Sequence, residues 1–212
     1  MIEKVAKQIK EEFFGEGTGH DWYHIERVWK TTRHIAKEEA ANSEIAELGA
    51  LLHDIADHKF HDNAEELAST KTIELLTDCG YSQDIINEVV HIVQNCSFKG
   101  GIGDNKMRSL EGLIVQDADR LDAIGAIGIA RTFAYGGKKG NMIYDPLVKP
   151  QEYKDAEDYK NSKGHTINHF YEKLLKLKDL MNTVTGKQIA TSRHQYLEGF
   201  LEQFYKEWNS SY

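Results

Sequence analysis

Apolar residues recur along this chain at three- and four-residue intervals, separated by short polar joints, and strand-like alternation is almost absent. Ile2, Val5, Ile9 and Phe13 form one stripe, stopped by Gly15-Glu16-Gly17, which predicts a helix over residues 2–14. Trp22, Ile25, Val28, Trp29, Ile35 and Ala36 predict a second over 21–41, with Asp21 as its cap. Ile45, Leu48, Leu51, Leu52 and Ile55 predict a third over 43–56. Asn63 and Glu66 have capping-box spacing and start a helix that stops near Gly80. Ser82 begins another, carrying Ile85, Ile86, Val89, Val90, Ile92 and Val93, which ends before Lys99-Gly100-Gly101. The almost continuously apolar run from Leu110 to Tyr135 predicts one long buried helix. From Gly136 to Lys163 the period disappears, and both prolines, Pro146 and Pro150, fall in this stretch. It reads as a loop or flap of the kind that borders a site. Two helices, over 165–181 and 188–208, close the chain. The pattern predicts an all-α fold: one globular helical bundle over 1–212, the C-terminal helices of 165–209 packed on its core.

Several polar residues break this pattern. His53-Asp54 stands at the end of the third apolar stripe, where lost hydration leaves both side chains in need of a partner. That partner is either a divalent cation or a neighbouring protein group. His-Asp also occurs at His20-Asp21 and His61-Asp62, but only the middle pair ends an apolar helix. His24 lies at the margin of the second helix's apolar side, with Arg27 three residues on along the same face. Asp117, Asp119, Arg120, Asp122 and Arg131 interrupt the long apolar run, as internal ion pairs or as a binding site. His91, within the fifth helix, reads as a core histidine.

Charge narrows the function. With 26 Lys and Arg against 34 Asp and Glu among 212 residues, the net charge is −8. That argues against a binder of nucleic-acid polymers or membrane surfaces. Anionic small molecules must then be drawn in locally, by a metal or a few placed cations. Cys79 and Cys96 have no metal-type spacing, and a reduced cytosolic protein is the simplest account. No run is long enough to span a bilayer.

His24, His53, Asp54 and Asp119 together offer two nitrogens and two carboxylates from three helices, a set suited to one divalent ion. In order and separation they resemble the H…HD…D pattern of the HD-domain metal-dependent phosphohydrolase superfamily. The resemblance is to its compact bacterial hydrolases, through three segments. These are Gly19-His20-Asp21-Trp22-x-His24-Ile25-x-Arg27-Val28, Leu51-Leu52-His53-Asp54-Ile55-x-Asp57-x-Lys59 and Gln116-Asp117-Ala118-Asp119-Arg120-Leu121-Asp122-Ala123-Ile124-Gly125. The segment Leu177-Lys178-Asp179-Leu180-Met181-Asn182-Thr183 is similar too, so the resemblance covers nearly the whole chain.

The resemblance implies an all-α fold with a metal held between helices by His24, His53, Asp54 and Asp119. Asp117 and Asp122 are alternatives for the last ligand. By analogy with related nucleotidases, Asp57 is the implied general acid or base; if the helix continues, it lies one turn along the face of Asp54. Arg27, Lys59 and Lys99 are candidates for binding phosphate oxygens, with Asp122 a further substrate contact; separately, the place of the 136–163 stretch makes Lys138 or Lys139 a candidate for distal phosphates. Manganese or magnesium suits oxygen-rich ligation, while iron, nickel, cobalt and zinc are admitted by the imidazoles. The expected activity is hydrolysis of a small phosphorylated metabolite, foremost a nucleoside triphosphate with release of pyrophosphate. Nucleoside monophosphate phosphatase, alarmone hydrolase, dinuclear-iron oxygenase and vestigial nucleotide sensor are the alternatives, and a homodimer is compatible with the sequence. An oxygenase would need further histidine ligands, for which His91 and His20 are available.

Overall fold

A computed structural model describes residues 1–15, 21–55, 64–96, 106–151 and 164–211. Among these the chain is all-α, with no strand. The helices are α1 (Ile2–Phe13), α2 (Trp22–Glu38), α3 (Ser43–Leu52), α4 (Ala64–Asp78), α5 (Gln83–Cys96), α6 (Leu110–Asp122), α7 (Gly125–Lys139), α8 (Thr166–Glu172) and α9 (Val184–Trp208). A 3₁₀ helix, Leu174–Leu180, lies between α8 and α9. The chain divides into two compact units, the described residues through Asp119 and those from Arg120 onward.

The first unit is arranged around α3. That helix is apolar on almost every side, and Ala46 to Leu52 are all buried, as expected for a helix enclosed by others. It packs against α1, α2 and α5, and α4 pairs with α5. Asn42 caps α3 by accepting from the amides of Glu44 and Ile45. Gly49 admits α5 and α6 closely: a Cβ there would stand 2.9 Å from Ile92 Cγ2 and 3.3 Å from Val115 Cγ2. The third helix ends at Leu52, short of the predicted residue 56: His53 is its C-cap with dihedrals still helical, and the Ile55 amide then closes a tight turn onto the Leu52 carbonyl. Asp57, whose place on the face of Asp54 required the helix to continue, lies outside the described residues.

The predicted helix over 110–135 is two, α6 and α7. Gly125 has φ +76°, a left-handed conformation that breaks the helix between α6 and α7. The stem of Arg193 on α9 fills the space a Cβ would need there, with Cγ 3.1 Å from that position. Arg193 also donates Nη1–H to the Leu121 carbonyl at the end of α6 (2.5 Å). The α7 helix then runs through Gly136 and Gly137 to Lys139, so the expected loop begins four residues late. Gly140, at φ +73°, ends it, with Asn141 N–H bonded to the Gly136 carbonyl at 2.9 Å. Residues 140–151 are without helix, and 152–163 lie outside the described residues. The helix expected over 165–181 becomes α8 and the 3₁₀ turn, separated at Lys173, and α9 begins at Val184 rather than 188. Phe133, Phe170 and Phe200 join α7, α8 and α9 in one aromatic core, with Phe170 and Phe200 stacked at 5.6 Å.

Candidate metal centre

Three helices of the first unit bring their chemistry to one point. Asp21 caps α2, its Oδ1 accepting from the His24 amide at 2.8 Å. That cap starts the helix so that His24 falls in the first turn, on the buried side with Ile25 and Val28. His53 follows the last residue of α3, and Asp54 occupies the turn after it. Asp119 comes from α6, on the turn after Val115, which is buried.

The donor atoms converge. His24 Nε2 and His53 Nε2 are 3.3 Å apart. Asp54 Oδ2 stands 3.4 Å from each of them. Asp119 Oδ1 stands 3.5 Å from the first and 4.0 Å from the second. The ligating atoms of His24, His53 and Asp119 all lie within 4.8 Å of one another. Both imidazoles are enclosed, with 1% and 3% of their side chains exposed, while Asp54 and Asp119 keep 20% and 28%. The cluster is thus sealed on its nitrogen side and open on its oxygen side.

His53 Nδ1 lies 2.7 Å from the Ala50 carbonyl. A carbonyl can only accept, so Nδ1 carries the proton and neutral His53 presents a bare Nε2 lone pair. This is the second-sphere bond that commonly fixes a ligating histidine, and it comes from the backbone. The imidazole–carboxylate separations of 3.4–4.0 Å exceed the usual 2.9–3.0 Å of an N–H···O bond. They approach the roughly 3 Å between neighbouring donors around an ion bound at about 2.1 Å. Two carboxylates and two neutral imidazoles also balance a charge of +2. The residues present fit a divalent cation.

The other expected site residues fall as follows. Arg27 is half-buried on α2, three residues after His24. Asp117 is fully buried. Asp122 is engaged elsewhere: its Oδ2 accepts from Arg131 Nη1 inside the second unit, with 5% of its side chain exposed. This is the internal Asp–Arg pair that the interrupted apolar run allowed. Lys138 is exposed in the last turn of α7 beside Lys139, on a helix end rather than a loop, where positive charge meets the helix dipole favourably. His91 lies 3.3 Å from Asn95 through Nδ1 and does not join the cluster. Asp57, Lys59, Lys99 and His20 lie outside the described residues. The Ala50 carbonyl was missed by sequence reading. Its only signal is its place three residues before a histidine at a helix end.

An HD domain model matches residues 21–124, which include all four converging residues. A Bacillus subtilis protein, YpgQ, is 35% identical over 209 residues, covering 98% of this chain and 93% of its own. The chain belongs to the HD-domain family. Solved structures extend the match to nearly the whole chain. A Lactobacillus plantarum structure has a TM-score of 0.84 at 38% identity, with 99% of this chain and 97% of that one covered. A Bacillus thuringiensis HD-superfamily hydrolase has a TM-score of 0.79 at 45% identity, with the same coverage. YpgQ in complex with ADP has a TM-score of 0.78 at 33% identity, covering 98% and 97%. The HD-family assignment makes this chain a metal-dependent hydrolase of the bacterial HD phosphohydrolase group. Among the described residues, no helix is long and apolar enough to cross a membrane.

Proposed function

We propose that this protein hydrolyses nucleotides at the cluster of His24, His53, Asp54 and Asp119, acting on nucleoside triphosphates with release of pyrophosphate. The observation that carries the nucleotide part is the ADP complex of YpgQ, a relative that this chain matches over nearly its full length. A divalent ion held by these four residues would supply Lewis acidity and charge neutralisation at a phosphoryl group. Manganese or magnesium suits the oxygen-rich half of the set. The chain's own part is to present the donors: Ala50 fixes the His53 tautomer and the buried imidazoles exclude water from behind. The more exposed carboxylates face the side from which substrate enters. Asp57 is proposed to hold or deliver the proton, and Arg27, Lys59, Lys99 and Lys138 to meet phosphate oxygens that would otherwise face a chain of net charge −8.

The test is to strip the protein of metal, reload it with single divalent ions and screen nucleotides with separate detection of phosphate and pyrophosphate. Pyrophosphate and a nucleoside monophosphate from a triphosphate are expected. Phosphate alone, from a monophosphate, would replace this reading with a phosphatase, and no turnover with any ion would remove it. Asp57→Asn should keep metal binding and slow turnover by about 10²-fold or more. Loss of the metal together with activity would make Asp57 a ligand, and an unchanged rate a bystander.

A further inference from the structure

We propose that Glu47 is a positioning residue for the metal centre: it fixes how α2 lies on α3 and thereby the separation of the His24 and His53 Nε2 atoms. This rests on the ligand assignment above. Glu47 is on α3, six residues before His53, and its side chain is nearly enclosed. One oxygen, Oε2, takes every bond. It accepts from Trp29 Nε1 at 2.7 Å, from Arg33 Nη2 at 2.8 Å and from Arg33 Nε at 3.1 Å. The guanidinium also lies over the Trp29 ring, 4.8 Å from its centroid. Both donors belong to α2, the helix of His24. A single buried atom of one ligand-bearing helix thus pins two neighbouring side chains of the other.

The apolar residues buried on α2 and α3 hold the helices together, but burial is non-directional and tolerates sliding. Charge-assisted bonds to one atom do not. Stability alone does not call for a carboxylate here, because the Arg33 side chain is 53% exposed and an ion pair open to solvent contributes little. Register does call for one. Trp29 is five residues from His24 and Glu47 six from His53, about 7.5 and 9 Å along the respective axes at 1.5 Å per residue. Over such short stretches a slide of α2 reaches His24 undiminished, while a metal site tolerates deviations of only about 0.2 Å. Glu47 touches neither ligand nor reacting atoms in this arrangement and acts only through the two helices.

The experiment measures Mn²⁺ affinity of the metal-stripped full chain by calorimetry, the d–d absorption of the Co²⁺ form, and the melting temperature. Glu47→Leu keeps the volume and removes the pin. Its Mn²⁺ Kd is expected to rise about 10–100-fold, as when outer-sphere support of a ligand is lost, with an altered Co²⁺ spectrum. Glu47→Gln, which retains an acceptor for Trp29, should recover part of the affinity. Val5→Ala, a core change on α1, should lower the melting temperature and leave the Kd unchanged. Wild-type Kd and spectrum in Glu47→Leu, or an equal loss in Val5→Ala, would overturn the proposal. If Glu47→Leu does not fold, Glu47→Gln decides by the same Kd criterion. Full metal occupancy in His53→Ala would instead overturn the ligand assignment, and so separates the two failures.

Discussion

Gly128 is the position where the packing makes the sharpest demand. It lies buried in the first turn of α7, and a Cβ there would stand 2.2 Å from the carbonyl oxygen of Ala123 and 2.4 Å from the carbonyl carbon. These are backbone atoms at the end of α6, so no side-chain rotation relieves the clash. The α6–α7 junction must open by about 1 Å to restore van der Waals separation. Overpacking of this kind costs about 1–3 kcal/mol, or more where backbone has to move. Alanine returns about 1 kcal/mol in helix propensity over glycine. Because the clashing atoms are backbone the upper end of that range applies, and about 3 less about 1 leaves a net loss for Gly128→Ala of about 2 kcal/mol, or a fall of about 4–8 °C in melting temperature for a chain of this length. Thermal unfolding followed by far-ultraviolet circular dichroism, on the metal-free protein, measures it without the stabilisation that bound metal adds. Gly137→Ala is the control, since nothing lies within 4 Å of a Cβ there and its effect should be neutral or favourable. A Gly128→Ala melting temperature equal to or above wild type would refute the reasoning.

Thr32 is fully buried on α2 with an unbonded Oγ1, so Thr32→Val should raise stability by about 1 kcal/mol in denaturant titration; a loss would mean that the hydroxyl has a partner. Asp122→Asn should cost about 3 kcal/mol by the same assay, because it leaves the Arg131 guanidinium without the charge it faces. His169 is held neutral by burial, with Lys173 adding to the effect, and its pKa falls from 6.5 to about 4. The unfolded chain therefore binds more protons between these values, so this contribution is complete above pH 6.5 and lost as pH falls towards 4. It is on the order of 3 kcal/mol, and His169→Leu should flatten the pH dependence of the melting temperature across that window.

Helix content was legible because each element carries a stripe of apolar residues at helical spacing, as Val5 and Ile9 do on α1 and Ile86, Val89 and Val93 on α5. The four converging residues were legible as chemistry out of place: a histidine and an aspartate at the end of the most apolar helix, and an aspartate inside an apolar run. What escaped depended on tertiary contacts that composition does not encode. The α6–α7 break follows from Gly125 packing on the stem of Arg193, 68 residues away in sequence. Without that partner, an apolar run with one more glycine reads as continuous helix. Gly136 and Gly137 resemble a stop, yet Gly136 stays helical because its missing side chain admits Thr166, whose Oγ1 would lie 2.4 Å from a Cβ. Asp122 stood as an alternative to Asp119, which the Ala-Asp-Arg-Leu match favoured; the structure sets Asp119 beside both imidazoles and pairs Asp122 with Arg131. The Ala50 carbonyl that fixes His53 belongs to the backbone, where a sequence offers no mark.

Metal stoichiometry tests the central claim most directly. Wild-type protein and the single variants His24→Ala, His53→Ala, Asp54→Ala and Asp119→Ala are stripped, reloaded with Mn²⁺, freed of excess by gel filtration and assayed for metal per chain, with circular dichroism as a check on folding. The account predicts one tightly held ion per chain in the wild type, and its loss from each variant while the helical spectrum is retained. A full complement of metal in folded His53→Ala and Asp54→Ala would contradict it.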